Sequence, residues 1–238
     1  MLLEDLGDGT LARLVAAEPA RAPALYDRVL DRLADLQIFG AEARAGCPLA
    51  WDRPFDRAHL RWETDYFRAR YLAGHLRRDP AALAALDAEF EALATAALAQ
   101  PRTLVHRDFQ SQNILLTDGV VRLVDVQGMR WGPVAYDAVS LLEDPYVDLP
   151  PATVAALLAS FPGRLAARGA LAPDPDTWRL WTAVTTLQRL MQALGAFAFL
   201  GEVKGRRGFL AHIPAAHRRL ADALERAADL AGSPPAPP

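Results

Sequence analysis

Cysteine and lysine each occur once in the 238 residues of this chain, and both scarcities carry information. A lone cysteine, Cys47, cannot close an intrachain disulfide, so the fold must rest on its core, as suits a reducing, cytoplasmic setting. Cys47 stands in Gly46-Cys47-Pro48 with no histidine near it in sequence, which argues against a nucleophile. With Lys204 the only lysine, arginine supplies nearly all of the positive charge. Neither sign is in excess: 26 basic against 29 acidic residues give a net charge of −3. That balance offers no basic footprint for nucleic acid or an anionic bilayer. No apolar run reaches the roughly 18 residues of a membrane span, and no basic stretch precedes an apolar one at the N-terminus as in a signal peptide. The five histidines show no metal-ligand spacing. What is left is a globular chain rich in Ala, Leu and Arg, long enough for one large domain or two small ones.

Apolar residues recur at helical spacing over most of the length. Leu25, Val29, Leu33 and Leu36 predict an amphipathic helix over 23–39. A second helix is expected over 57–76 with Asp56 as N-cap, and a third from Pro80 to about Ala99, opened by Asp79. Further helices are expected over 136–142, 151–168, 175–200 and 214–231, with a disordered tail at 232–238. The texture changes near Thr103. Short apolar runs at 103–105 and 113–116, and an alternating stretch at 120–124 joined to the second run by Thr117-Asp118-Gly119, predict a β-hairpin inside a helical body. The fold class expected is therefore α+β and predominantly helical.

Polar residues without periodicity concentrate around that hairpin, in Leu104 to Asp125, LVHRDFQSQNILLTDGVVRLVD. Asp108 follows a short strand, Asn113 opens the next strand, and Asp125 is expected to end the hairpin. Two carboxylates and an amide oxygen would converge at one end of a two-stranded scaffold. Magnesium favours such hard oxygen donors and completes its shell with waters or phosphates. A nearby carboxylate free of metal can accept a hydroxyl proton during phosphoryl transfer. The spacing fits H-R-D-x-x-x-x-N followed by a metal-binding aspartate. The alternative is a turn-forming set of surface acids.

These residues resemble the aminoglycoside phosphotransferase group of the protein-kinase-like superfamily. The narrower resemblance is to bacterial sugar kinases acting on the anomeric hydroxyl of N-acetylmuramate and N-acetylglucosamine. It runs through 2–11, 63–72, 104–116, 124–150 and 187–200. It implies a kinase-like C-terminal lobe with Asp108 as catalytic base, Asn113 and Asp125 as Mg²⁺ ligands, and ATP as phosphoryl donor. His106 would orient the loop, and Asp137 would open a buried helix and tie the loop down. Glu4 and Leu6 would lie in a hinge-like segment, 1–12, beside the nucleotide, with the large lobe over 13–231. Glu63, Phe67, Asp144 and Arg189 would contact the acceptor, the alternative being that Phe67 and Tyr66 are core and Arg189 pairs with an acid. The implied setting is cytoplasmic cell wall recycling.

Departures from the pattern are visible as well. Gln110 stands where histidine is expected, Val126 replaces an aromatic, and Gly128 stands where the sugar kinases tend to carry an acid. A glycine-rich phosphate cover and a strand lysine are not found before the catalytic loop, and arginine is no simple replacement for that lysine. An N-terminal lobe is thus expected to be absent. A separate small lobe or a homodimer would then meet an exposed apolar face around Leu2, Leu3, Leu115 and Leu123. Three activities follow from the resemblance: a kinase for a sugar or amino sugar, a non-catalytic pseudokinase-like binding module, or an aminoglycoside-modifying kinase.

Overall fold

The computed structural model describes residues 4–42, 52–53, 55–170 and 172–232, so Cys47 and most of the expected tail lie outside it. It is mostly helical, with two small antiparallel sheets, and it divides into two compact units.

The first unit takes residues 1–54 and 102–175. Helix α1 (Leu11–Ala17) is capped by Thr10, whose hydroxyl accepts from the Arg13 N–H. Helix α2 (Ala22–Glu42) buries Leu25, Val29, Leu30 and Leu33, as its periodicity predicts. Strand β2 (Ile114–Thr117) pairs with β3 (Val120–Leu123), Ile114 opposite Leu123. Asp118 and Gly119 between them both have positive φ, 51° and 76°, the type I′ geometry that matches the strands' twist. The segment before α1 runs along the other edge of β2. The Leu116 N–H donates to the Gly9 carbonyl at 3.0 Å, and the Thr117 hydroxyl donates to that of Leu6 at 2.8 Å.

A second sheet was not expected. Strand β1 (Arg102–Val105) pairs with β4 (Arg130–Pro133), Val105 opposite Arg130. Charge, glycine and proline in Arg130-Trp131-Gly132-Pro133 hide β4 from a pattern search, and its proline is tolerated because it closes the strand. The apolar face expected around Leu115 also differs: Leu115 is only 6% exposed, bridged by Thr10, while Leu2 and Leu3 lie outside the described residues.

Helix α6 (Tyr136–Leu142) has all seven of its residues buried. Helix α7 (Pro151–Ala166) packs on α2, where a ladder of ion pairs flanks the apolar contact. Asp27, Asp31 and Asp35 recur at every fourth position of α2. Arg164 pairs with Asp27 and, at 2.7 Å, with Asp31, and Arg168 reaches Asp35 at 2.6 Å.

The second unit takes residues 55–101 and 176–238. Helix α3 (Arg57–Phe67) starts at Asp56, whose carboxylate accepts from the His59 N–H at 2.8 Å. The helix expected to continue to residue 76 instead widens into a π-helical segment, Arg68–His75, in which the Leu76 N–H reaches back to the Tyr71 carbonyl. Tyr71 there hydrogen-bonds His217 Nδ1, and His75 pairs with Glu202, both at 2.7 Å. Helix α4 (Pro80–Leu83), capped by Asp79, is separated from α5 (Asp87–Leu98) by a 3₁₀ turn, where one helix was expected. Helix α8 (Pro175–Ala198) continues into a π turn, and α9 (Ile213–Gly232) closes the described chain, taking in Gly232, the first residue of the expected tail. Arg61 ties α3 to α5, with Asp87 as partner at 2.6 Å.

Leu141 has no exposed surface, so Leu141→Ala should lower the unfolding free energy by about 2–5 kcal/mol. Asp31→Ala should cost under about 1 kcal/mol, since its carboxylate is half exposed, and the loss should shrink in high salt. Urea unfolding at two salt concentrations measures both.

Candidate active site

The loop from β1 to β2 is built around left-handed backbone. Arg107 has φ 78°, a conformation costly for any residue that carries a Cβ, and it persists only when neighbours hold it. Asp137, in the first turn of α6 and fully buried, supplies that hold. Its Oδ2 accepts from the His106 N–H at 2.6 Å and its Oδ1 from the Arg107 N–H at 3.0 Å. Charged acceptors make such bonds short and strong. His106, also fully buried, bonds through Nε2 to the Val124 carbonyl at 3.0 Å, joining the loop to the end of β3. A carbonyl can only accept, so Nε2 carries the proton.

Asp108 is half-buried, and its neighbour Phe109 is fully buried. The Asp108 carbonyl accepts from Asn113 Nδ2 at 2.9 Å, closing the loop on itself. That bond commits the amide nitrogen and leaves Oδ1 as the atom of Asn113 with which a cation could be held. The Val124 N–H donates to the Asn113 carbonyl at 3.1 Å, one rung beyond the end of the β2–β3 ladder. Asp125 follows at φ 64° and is exposed. It does not end the strand, as expected, because β3 stops at Leu123 and the chain turns left-handed. Gln127 donates to one of its carboxylate oxygens. An amide oxygen and a carboxylate on adjacent rungs are hard donors of the kind magnesium takes.

Gly128 passes close to the base candidate. A methyl group there would stand 3.3 Å from Asp108 Oδ2 and 3.6 Å from the His106 carbonyl. The space beside the Asp108 carboxylate is therefore kept by the absence of a side chain, a feature the sequence marked only as a departure.

The first unit thus brings together His106, Asp108, Asn113, Asp125 and Asp137. Glu4 is exposed at the start of the described chain, and Leu6 is held by its carbonyl to Thr117. Asp144, expected at the acceptor, is 2% exposed and turned inward. Its Oδ2 accepts from the Ser111 N–H at 2.7 Å and hydroxyl at 2.5 Å, and its Oδ1 from the Tyr146 N–H at 3.0 Å. Ser111 was missed. The signal was an aspartate two residues after a helix rich in apolar side chains, which needs donors from somewhere in the fold.

The other three acceptor candidates lie in the second unit. Glu63 is fully buried on α3, 3.0 Å from Gln188 Nε2 and 3.6 Å from His59 Nε2. Burial pushes its carboxyl up, but the His59 hydrogen bond, the Arg189 charge and the Gln188 amide outweigh that and hold it below the usual carboxylate range. Arg189 is itself 9% exposed, donates to Gln192 Oε1 at 3.0 Å, and its charge acts on Glu63. Phe67 is 5% exposed and stacks on Tyr71. Ionised Glu63 stabilises the fold above its unfolded pKa, near 4.5, and that contribution fades as pH falls through its lower folded value. Glu63→Gln should therefore be less stable than wild type at pH 7, and the gap should narrow below about pH 4.5, as denaturant titrations across pH would record.

Comparison with known proteins places this geometry. The description "Phosphotransferase enzyme family" belongs to the family model that matches residues 1–181. The N-acetylmuramate/N-acetylglucosamine kinase of Pseudomonas aeruginosa is 30% identical over 232 residues, covering 97% of this chain and 67% of that protein. The enzyme of the same name from Neisseria meningitidis is 28% identical, over 97% of this chain and 69% of its own length. The chain spans about two thirds of the length of these curated relatives. A choline kinase from Cryptosporidium parvum shares the fold, with a TM-score of 0.63 over 97% of this chain and 70% of that one, at 12% identity. Family match, length of similarity and shared fold agree: the chain belongs to the phosphotransferase enzyme family.

Proposed function

We propose that this chain carries the phosphotransfer centre of a sugar kinase, moving the γ-phosphate of ATP to a hydroxyl of an N-acetylmuramate- or N-acetylglucosamine-type sugar. The observation that carries the reading is the loop held by Asp137, which sets a half-buried carboxylate, Asp108, one closed turn away from Asn113 and beside the bare backbone of Gly128. The names of the relatives supply the acceptor class.

In this reading Asp108 accepts the proton of the acceptor hydroxyl as its oxygen bonds to phosphorus, and the nucleoside diphosphate leaves. His106 and Asp137 are positioning residues: they fix the backbone from which the Asp108 side chain projects. Asn113 Oδ1 and the Asp125 carboxylate would hold Mg²⁺. The metal, when bound, neutralises charge on the phosphates. The segment of Glu4 and Leu6 would lie beside the nucleotide.

Calorimetry with Mg²⁺·ATP, followed by turnover assays on N-acetylmuramate and N-acetylglucosamine, tests the reading. Asp125→Ala should abolish nucleotide binding that depends on Mg²⁺. Asp108→Asn should leave that binding intact and lower kcat by about 10²- to 10⁴-fold. Equal turnover by Asp108→Asn would remove Asp108 from the role of base.

A further inference from the structure

Helix α6 carries one buried carboxylate in its first turn, Asp137, and another just past its last residue, Asp144. Seven helical residues span about 10 Å. Asp137 takes the two N–H groups at the loop's entry, those of His106 and Arg107. Asp144 takes the N–H and the hydroxyl of Ser111, near its exit. Between these grips lies Asp108, and just beyond the second lies Asn113. The Ser111 carbonyl, in turn, accepts from the Ala12 N–H at 3.2 Å, in the first turn of α1. Ser111 has no exposed surface, and both its hydroxyl and its peptide groups are engaged.

We propose that Asp144 is a positioning residue for the phosphotransfer loop, acting through Ser111 to fix the spacing of Asp108 and Asn113, and that it does not contact the acceptor. The Asn113 side chain closes on the Asp108 carbonyl across a turn that contains Ser111. Gripping that residue holds the turn shut, and with it the distance between the proton acceptor and the metal-binding amide. Because Ser111 also binds Ala12, the same grip joins the loop to the N-terminal segment that runs along β2.

This inference rests on the proposed role of Asp108, yet one of its readouts needs no turnover. Amide hydrogen exchange of the full chain should show residues 111–113 exchanging about tenfold faster or more in Asp144→Asn, with His106 and Arg107 unchanged under their Asp137 grip. Ser111→Ala keeps the backbone bond to Asp144 and removes only the hydroxyl's. It should show a smaller increase in the same residues, which guards against Asp144→Asn failing to fold. In turnover assays both variants should lower kcat while acceptor KM stays within about twofold. Unchanged exchange in both variants overturns the proposal. So does a raised acceptor KM in Asp144→Asn with Ser111→Ala silent, the signature of a direct acceptor contact. A wild-type chain that turns over no sugar would count against the kinase reading, while the exchange result would still decide the role of Asp144.

Discussion

A carboxylate removed from water must have its oxygens filled by donors, and in the first unit that requirement organises everything around α6. The helix is buried on every side. Its two acidic residues, one at each end, recruit main-chain N–H groups that no strand or helix would otherwise satisfy. The exchange is mutual: the loop obtains acceptors for a left-handed, unpaired stretch, and the buried carboxylates obtain donors. The rest follows from it. With entry and exit held, the closed turn from Asp108 to Asn113 has one shape, and the β2–β3 hairpin continues from it in register.

Much of this was legible in the amino-acid order, for identifiable reasons. The α2 stripe and the Asp56 and Asp79 caps follow from short-range rules, and the structure has them where those rules put them. The Asp118-Gly119 turn is likewise local, since only residues tolerant of positive φ fit there. What escaped was what depends on distant partners. The π-helical widening at Arg68–His75 accompanies the meeting of Tyr71 with His217 and of His75 with Glu202, residues more than a hundred positions away. Strand β4 exists because β1 is beside it, not because Arg-Trp-Gly-Pro favours extended backbone. Asp144 could be recognised as meaningful from its position, but its role depends on a serine that approaches only in the folded chain.

The second unit solves a similar problem with different partners. Glu63 is buried among side chains instead of peptide groups, with Gln188 Nε2 bonded both to it and to the Leu60 carbonyl. That amide thereby joins α8 to α3 through backbone and side chain together. Glu63, expected to face an acceptor, also takes part in how this unit holds its own helices. Acids at helical spacing look the same in sequence whether they turn outward to a ligand or inward to an arginine.

The left-handed backbone at Asp125 has a consequence for what can occupy that position over time. At φ 64° a branched or bulky side chain is strained, and glycine, asparagine and aspartate are the residues that settle there readily. Glycine brings no ligand and asparagine no charge. Conformation and, in the proposed role, coordination would narrow the choice independently and arrive at the same amino acid. Substitutions that the backbone accepts at this position without strain are therefore asparagine and glycine, and any other side chain would have to pay for the left-handed turn.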